Sequence, residues 1–494
     1  MITWLRWAWR LLTSMRTALI LLFLVALGSV PGSVLPQRGL TPEDVTKFYE
    51  ENPGLAPWLD RFSMFDVFGA PWFAAIYLLL FVSLAGCVLP RAAQHYRAMR
   101  GRPPAAPRNL SRLPHTASVP GGTLALAEAE LRRRRFRVNT GDGWVAAEKG
   151  YLRETGNLVF HLALLALLFA VGSGALFGYR GNVLVVEGDG FANTVAAYDK
   201  FSPGRFVDTE SLKPFSFRLG DFTATYSTEP QRRGQPLDFS GKLSVREGGG
   251  QKTHDLRVNE PLEAGGAQVY LLGNGYAPTF RVTDGKGQVA FDGAVPFLPA
   301  EKGGFTSEGV IKVPDAQPAQ LGFVGLFLPT TVTVGDSATS AFPAALNPTV
   351  RLFGFKGDLG LRSGAPQSVY QLNSDKMQMI KLPETRLAVG QSLTLPDGLG
   401  TVTFTGVKEW ISLQITYDPG RFPALVSAAL AVLGLVPALT VRRRRIWVRQ
   451  TADGIDVGGL TRSEGGGGIE EEFESIVSSL RRSGEQESRE LVKE

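Results

Sequence analysis

The sequence predicts a multi-pass membrane protein: four transmembrane α-helices plus a large, mainly antiparallel β extracytoplasmic domain. Three observations predict it. Four runs of the 494-residue chain carry no charged residue over a length that crosses a bilayer. Arginine clusters on alternate sides of those runs. The stretch 180–421 alternates apolar and polar residues at period two between turn signals.

The first uncharged run, TALILLFLVALGSVPGSVLPQ, follows Arg6, Arg10 and Arg16 and predicts a span over 17–37 after a 1–16 flank. Its basic start and SVPGS also suit a signal peptide, but the uncharged stretch exceeds the usual signal core, so it reads as an anchor. The acidic segment 38–66 is expected as an outer loop. The second span, 67–90, is followed by Arg91, Arg97, Arg100 and Arg102. A basic segment, 91–154, comes next, made of a Pro/Arg linker (RGRPPAAPRN) and a small αβ unit around LALAEAELRRRRFRV and GWVAAEKG. The third span covers 155–179 and the fourth 422–441, the latter followed by Arg442 to Arg445. Positive flanks stay in the cytosol, so both termini and 91–154 are expected inside, and 38–66 and 180–421 outside. Trp4, Trp7, Trp9, Trp58, Trp72 and Trp447 lie beside span ends, as interfacial tryptophans do.

Within 180–421, NVLVVEG, FSFRLGDFTATYS, KLSVREG, THDLRVNEP, AQVYLLGNGY and PTFRVTD read as strands separated by EGGG, EAGG and TDGKG, and TTVTV, GTVTFTG and ISLQITY continue the pattern. One or two antiparallel modules and no helix are expected there. The tail, 442–494, is expected to contain a flexible GGGG hinge (465–468) and a short amphipathic helix. That helix carries Ile469, Phe473, Ile476, Val477 and Leu480 on one face, suited to docking on its own chain or on a partner.

Formal charge is +6, and the excess lies in the flanks of the spans. It fits topology and anionic lipid headgroups rather than nucleic acid. The single cysteine, Cys87, excludes an intrachain disulfide and a dithiol motif, and it reads as an apolar filler. No Ser-His-Asp set, HExxH or phosphate loop is present, so no catalytic residue is assigned.

Of four histidines, His95 and His115 sit among polar residues and read as ordinary. His254 opens the strand THDLRV and reads as a surface residue or a weak ligand candidate. His161 is the misfit, an imidazole within the third span, roughly 6 Å into the apolar layer at ~1.5 Å per residue. An ionisable group there marks a functional site, either as an iron or zinc ligand or as a neutral bond to a neighbouring helix. Gly174 and Gly178 form a GxxxG suited to close helix approach, internal or to a partner.

The chain resembles the ResB family of cytochrome c biogenesis proteins, the membrane half of the System II haem-handling and ligation complex. The likeness rests on MRTALILLFLVALGSV, AEKGYLRETGNLVFHLALLALLFAVGSGALFGYRG, VNEPLEAGGAQVYLLGNGY and SLQITYDPGRFPALV leading into RRRRIWVR. It implies a subunit of a cytochrome c synthase (haem lyase) complex in the plasma membrane, handling haem b and helping attach it to CxxCH apocytochrome c. It further implies a multi-helix partner subunit with a Trp-rich motif, absent from this chain, and a thiol-reducing protein in the same pathway. The family's transmembrane haem-ligand histidine falls on His161. A role for an outer histidine could fall only on His254. Arg153 suits a haem propionate or a plain positive anchor. The rival reading is a membrane-anchored β-domain scaffold or sensor without haem.

Overall fold

The computed structural model describes residues 2–39, 41–210, 212–300, 304–335, 337–361, 370–461 and 469–491. The predicted Gly-rich hinge at 465–468 lies outside the described residues. The chain divides into two compact units, one of Met1–Gly174 with Pro419–Glu494 and the other of Ala175–Asp418.

In the first unit, helices α1 (Ile2–Leu12), α2 (Met15–Val34), α3 (Pro42–Glu51), α4 (Ala56–Arg61) and α5 (Pro71–Arg100) are followed by α6 (Leu124–Arg133), α7 (Leu152–Phe177), α8 (Arg421–Thr440) and α9 (Ile469–Leu491). Four of them, α2, α5, α7 and α8, are long and apolar enough to cross a membrane, with mean hydropathies of 2.1 to 2.3. Their outward side chains, such as Phe23, Phe169 and Leu433, are about two-thirds exposed. Water would not tolerate so large an apolar surface, whereas lipid tails solvate it.

The segment expected as an outer loop is ordered. Val45, Ala56 and Phe65 form a small core under α3 and α4, and Gln37 ties the segment shut by accepting from Val67 N (3.1 Å) and donating to Met64 O (3.0 Å). A break at Thr13–Ser14 separates α1 from α2 and leaves carbonyls that no helix satisfies. Ser83 donates to Leu12 O (2.5 Å) and Cys87 Sγ donates to Thr13 O (2.7 Å). Close approach of α7 and α8 uses Gly156 and Gly434: a Cβ on Gly156 would lie 2.5 Å from the Gly434 carbonyl. Of the GxxxG pair, Gly174 meets the start of α8, where a Cβ on Gly420 would lie 3.1 Å from its nitrogen, while Gly178 falls past the end of α7.

The αβ unit is larger than expected. A five-stranded sheet runs in the order 115–120, 454–461, 444–451, 144–149, 137–141, all antiparallel. Residues 444–451 (RRIWVRQT), within the segment expected as a tail, form a central strand of that sheet, with Ile446 and Val448 facing inward. Helix α9 docks on its own chain: Phe473, Ile476, Val477 and Leu480 are buried with Leu131 of α6 and Val145 of the sheet. The Pro/Arg linker is pinned rather than free, because Trp447 Nε1 donates to Pro104 O (3.2 Å) and Arg449 to Pro107 O (3.1 Å).

The second unit is antiparallel β throughout its named strands, and its described helical pieces are 3-10 turns. It holds two cores. Strands Ala267–Asp284 and Gly400–Tyr417, 18 residues each, pair along their length and thread both. One end buries Val269, Leu413 and Ile415 against a four-stranded sheet that includes Phe217 and Leu243. The other buries Phe280, Val402 and Phe404 against a six-stranded sheet that includes Phe323 and Val350. Register shifts at Leu271/Gly273 and Thr279/Phe280 bend the ladder between the cores.

Glu409 lies on the second long strand. Burial pushes its carboxyl up to about 7, with a further contribution from the neighbouring Glu187. Glu187 accepts from Phe222 N (2.9 Å) and Glu409 N (3.2 Å), and one Glu409 oxygen is buried without a hydrogen-bond partner. A carboxyl with a raised folded pKa binds its proton more tightly in the native state. Its stabilising effect is therefore complete below its ordinary value of 4.5 and is lost as pH rises through about 7. Glu409→Gln should melt like wild type in acid and be more stable by roughly 2–3 kcal/mol in alkali. Parallel melting curves across pH would contradict this.

Candidate functional site

Helices α2, α5 and α7 line a cavity of about 860 Å³ within the first unit. Its walls are apolar, with Leu19 and Leu22 from α2, Leu80 and Leu84 from α5, and Leu164 and Leu168 from α7. Polar groups gather toward one end: Arg91, Gln94, His95, Glu154, Asn157 and Arg443. On α5 the spacing Leu80, Leu84, Cys87, Arg91, His95, Ala98 keeps one helix face toward the cavity. On α7, Glu154, Asn157, His161, Leu164 and Leu168 do the same. Tyr77 donates to Leu168 O (2.5 Å) and holds the two helices together.

His161 enters the cavity with its tautomer set by the backbone. Nδ1 lies 2.7 Å from Asn157 O, one helical turn back. A carbonyl only accepts, so Nδ1 carries a proton, which leaves Nε2 as the lone-pair nitrogen of the neutral ring. Among the described residues Nε2 has no hydrogen-bond partner. Phe160 meets the ring edge-on at 5.2 Å. A neutral imidazole with a backbone-held Nδ1–H and an open Nε2 is the form in which histidine binds a metal.

His95 lines the same cavity, contrary to its reading as an ordinary polar residue. Its Nε2 is 3.0 Å from Thr155 Oγ1, whose own hydrogen reaches Tyr151 O (3.1 Å), so His95 donates. Its Nδ1 is 3.6 Å from Glu154 Oε2. The sequence signal for His95 was the apolar stripe of α5 continuing past Pro90, which lies inside the helix.

Behind Glu154 stands a buried ion network. Arg443, 8 % exposed, pairs with Glu154 and reaches Glu148 at 3.2 Å. Glu148, 2 % exposed, also accepts from Tyr151 and faces Arg445. Burial alone would raise the Glu148 carboxyl, but Tyr151, Arg443 and Arg445 hold it below its ordinary range. Burial would lower Arg443, and the two carboxylates instead raise it. The network is ionised on both sides. Arg153 is not among the cavity residues; the cations there are Arg91 and Arg443.

Cys87 also lines the cavity, with its thiol committed to Thr13 O. His115 packs on Phe473, 5.8 Å between rings, in the αβ sheet. His254 belongs to the second unit and is not brought to this cavity. It sits on strand Gly250–Arg257 opposite Leu243, with Nε2 buried and without a hydrogen-bond partner. Among the described residues no three His, Cys, Asp or Glu side chains group as a metal-ion site.

The ResB-like family matches this chain over residues 15–474. Several similar relatives are called cytochrome c biogenesis protein CcsB. One, from Thermosynechococcus vestitus, is 26 % identical over 461 residues, covering 91 % of each chain. Another, from Synechococcus elongatus, is 26 % identical over 470 residues, covering 92 % of this chain and 88 % of that one. A third, from Microcystis aeruginosa, is 24 % identical over 460 residues, covering 91 % and 90 %.

Proposed function

The chain belongs to the ResB-like family, and from that premise we propose that it is a membrane subunit of cytochrome c biogenesis that holds haem as cargo and helps deliver it to apocytochrome c. The observation that carries this reading is His161, an imidazole with an open Nε2 in an apolar cavity between membrane-spanning helices. The cavity fits such a cargo. Its volume falls in the ~300–1,000 Å³ range of small-molecule sites. Its leucine walls suit an apolar macrocycle, and Arg91 and Arg443 at the polar end suit carboxylates. His161 takes the role of axial ligand to the iron. The second axial ligand is assigned to the multi-helix partner subunit, and a thiol-reducing protein keeps the CxxCH cysteines of the apocytochrome available. His254, with its unpartnered Nε2, is the one histidine from which the β unit could offer a further contact.

The arginine distribution orients the chain in the plasma membrane with both termini and the αβ unit in the cytosol and the β unit outside. The polar end of the cavity, near Glu154 and Arg443, then faces the cytosol. Reporter fusions near residue 120 should be active inside and those near residue 300 outside; the reverse pattern would overturn this orientation.

Cells lacking the chain should lose haem-stained c-type cytochromes while b-type haemoproteins remain. Normal c-type cytochromes in such cells would favour the scaffold reading instead.

A further inference from the structure

A second cavity, of about 680 Å³, lies where the cytosolic ends of α7 and α8 meet the αβ sheet. Arg135, Arg137, Lys149, Arg442 and Arg444 line it against one carboxylate, Glu148. Glu148 is already held by Arg443, Arg445 and Tyr151. Lys149 and Arg444 share Glu472 of α9. Arg135, Arg137 and Arg442 have no carboxylate within ion-pair distance among the described residues. The cavity therefore keeps an excess of positive charge that the described residues do not neutralise.

Its geometry is built rather than loose. Gly150, at φ +95°, lets the turn before α7 press on the residue after α8: a Cβ there would lie 2.2 Å from Arg442 O. Arg137 lies over the Tyr151 ring at 5.4 Å. Arg135 follows the end of α6 in a left-handed conformation, φ 61°, a position where glycine or asparagine is the cheaper choice. Tyr151 and Leu152, at the start of α7, line the same cavity, so the positive end of that helix dipole adds to the anion preference.

The other wall is apolar. Leu152 and Val441 line it, and beside them Leu152 and Leu439 are 63 % and 75 % exposed on the flanks of the spans. A ligand that satisfies both walls has an anionic head at the depth of the helix ends and apolar tails along α7 and α8. We propose that this cavity binds the phosphate headgroup of one anionic phospholipid, which joins the αβ sheet to the membrane ends of α7 and α8. This site involves neither His161 nor the haem reading.

The test is native mass spectrometry of the full chain in mild detergent, with added phosphatidylglycerol or phosphatidylcholine. Wild type should retain phosphatidylglycerol and not phosphatidylcholine. Arg137→Gln/Arg442→Gln should reduce the retained lipid by roughly tenfold or more, from the loss of two surface cations. Arg442→Lys should keep most of it, and a melting curve shows whether each variant is folded. Arg108→Gln/Arg112→Gln removes the same charge from the αβ unit away from the cavity and should retain the lipid. Equal loss in both double variants, equal retention of phosphatidylcholine, or displacement of the lipid by millimolar inorganic phosphate would each overturn the proposal.

Discussion

Replacing His161 by alanine is expected to lower haem content and c-type cytochrome maturation together, by at least the roughly 10–100-fold that losing only a ligand's supporting partner costs. Alanine is compatible with the helix and with membrane insertion, so the chain should accumulate normally. Added imidazole should restore part of both by occupying the vacated position. Phe169→Ala, on the same helix but outside the cavity, separates ligand loss from local disturbance and should mature cytochromes at close to the wild-type level. Normal maturation in His161→Ala would make the histidine structural.

Arg443→Ala should strongly destabilise the first unit. It strips Glu148 and Glu154 of a shared cation, and Glu148 is nearly inaccessible to water. Breaking one side of a buried pair costs about 3–5 kcal/mol. Tyr151 and Arg445 still hold Glu148, which places the expected loss near the lower end, about 3 kcal/mol. Chemical or thermal unfolding of the purified chain reads it directly. Arg91→Ala, which breaks no ion pair among the described residues, should cost far less. An equal loss in the two variants would mean that the network around Glu148 is solvated.

These expectations draw on features that were unequally visible in the sequence. The four apolar runs and the period-two strands are local patterns, and the helices and the antiparallel β unit follow from them. His161 was visible because it interrupts a run with no other charge or ring nitrogen. His95 was not, because residues 91–100 carry enough arginine to read as a flank, although they continue α5. The central strand at 444–451 was hidden for a different reason. Its partner is Trp144–Lys149, with Arg444 opposite Lys149, and nothing local announces a pairing between segments so far apart in the chain. The burial of α9 follows from that pairing, since its apolar stripe needs the completed sheet to cover. The long strand Ala267–Asp284 reads as two shorter ones because Gly273, Gly275 and Pro278 interrupt its alternation, and a partner of equal length carries the ladder across.

The central claim is that the cavity between α5 and α7 holds haem through His161. It is tested most directly by the absorption spectrum of the chain purified from haem-replete cells. The account predicts a Soret band that co-purifies with wild type, is lost in His161→Ala and survives in His254→Ala. A colourless wild-type protein, or a His161→Ala protein with the same band as wild type, would contradict it.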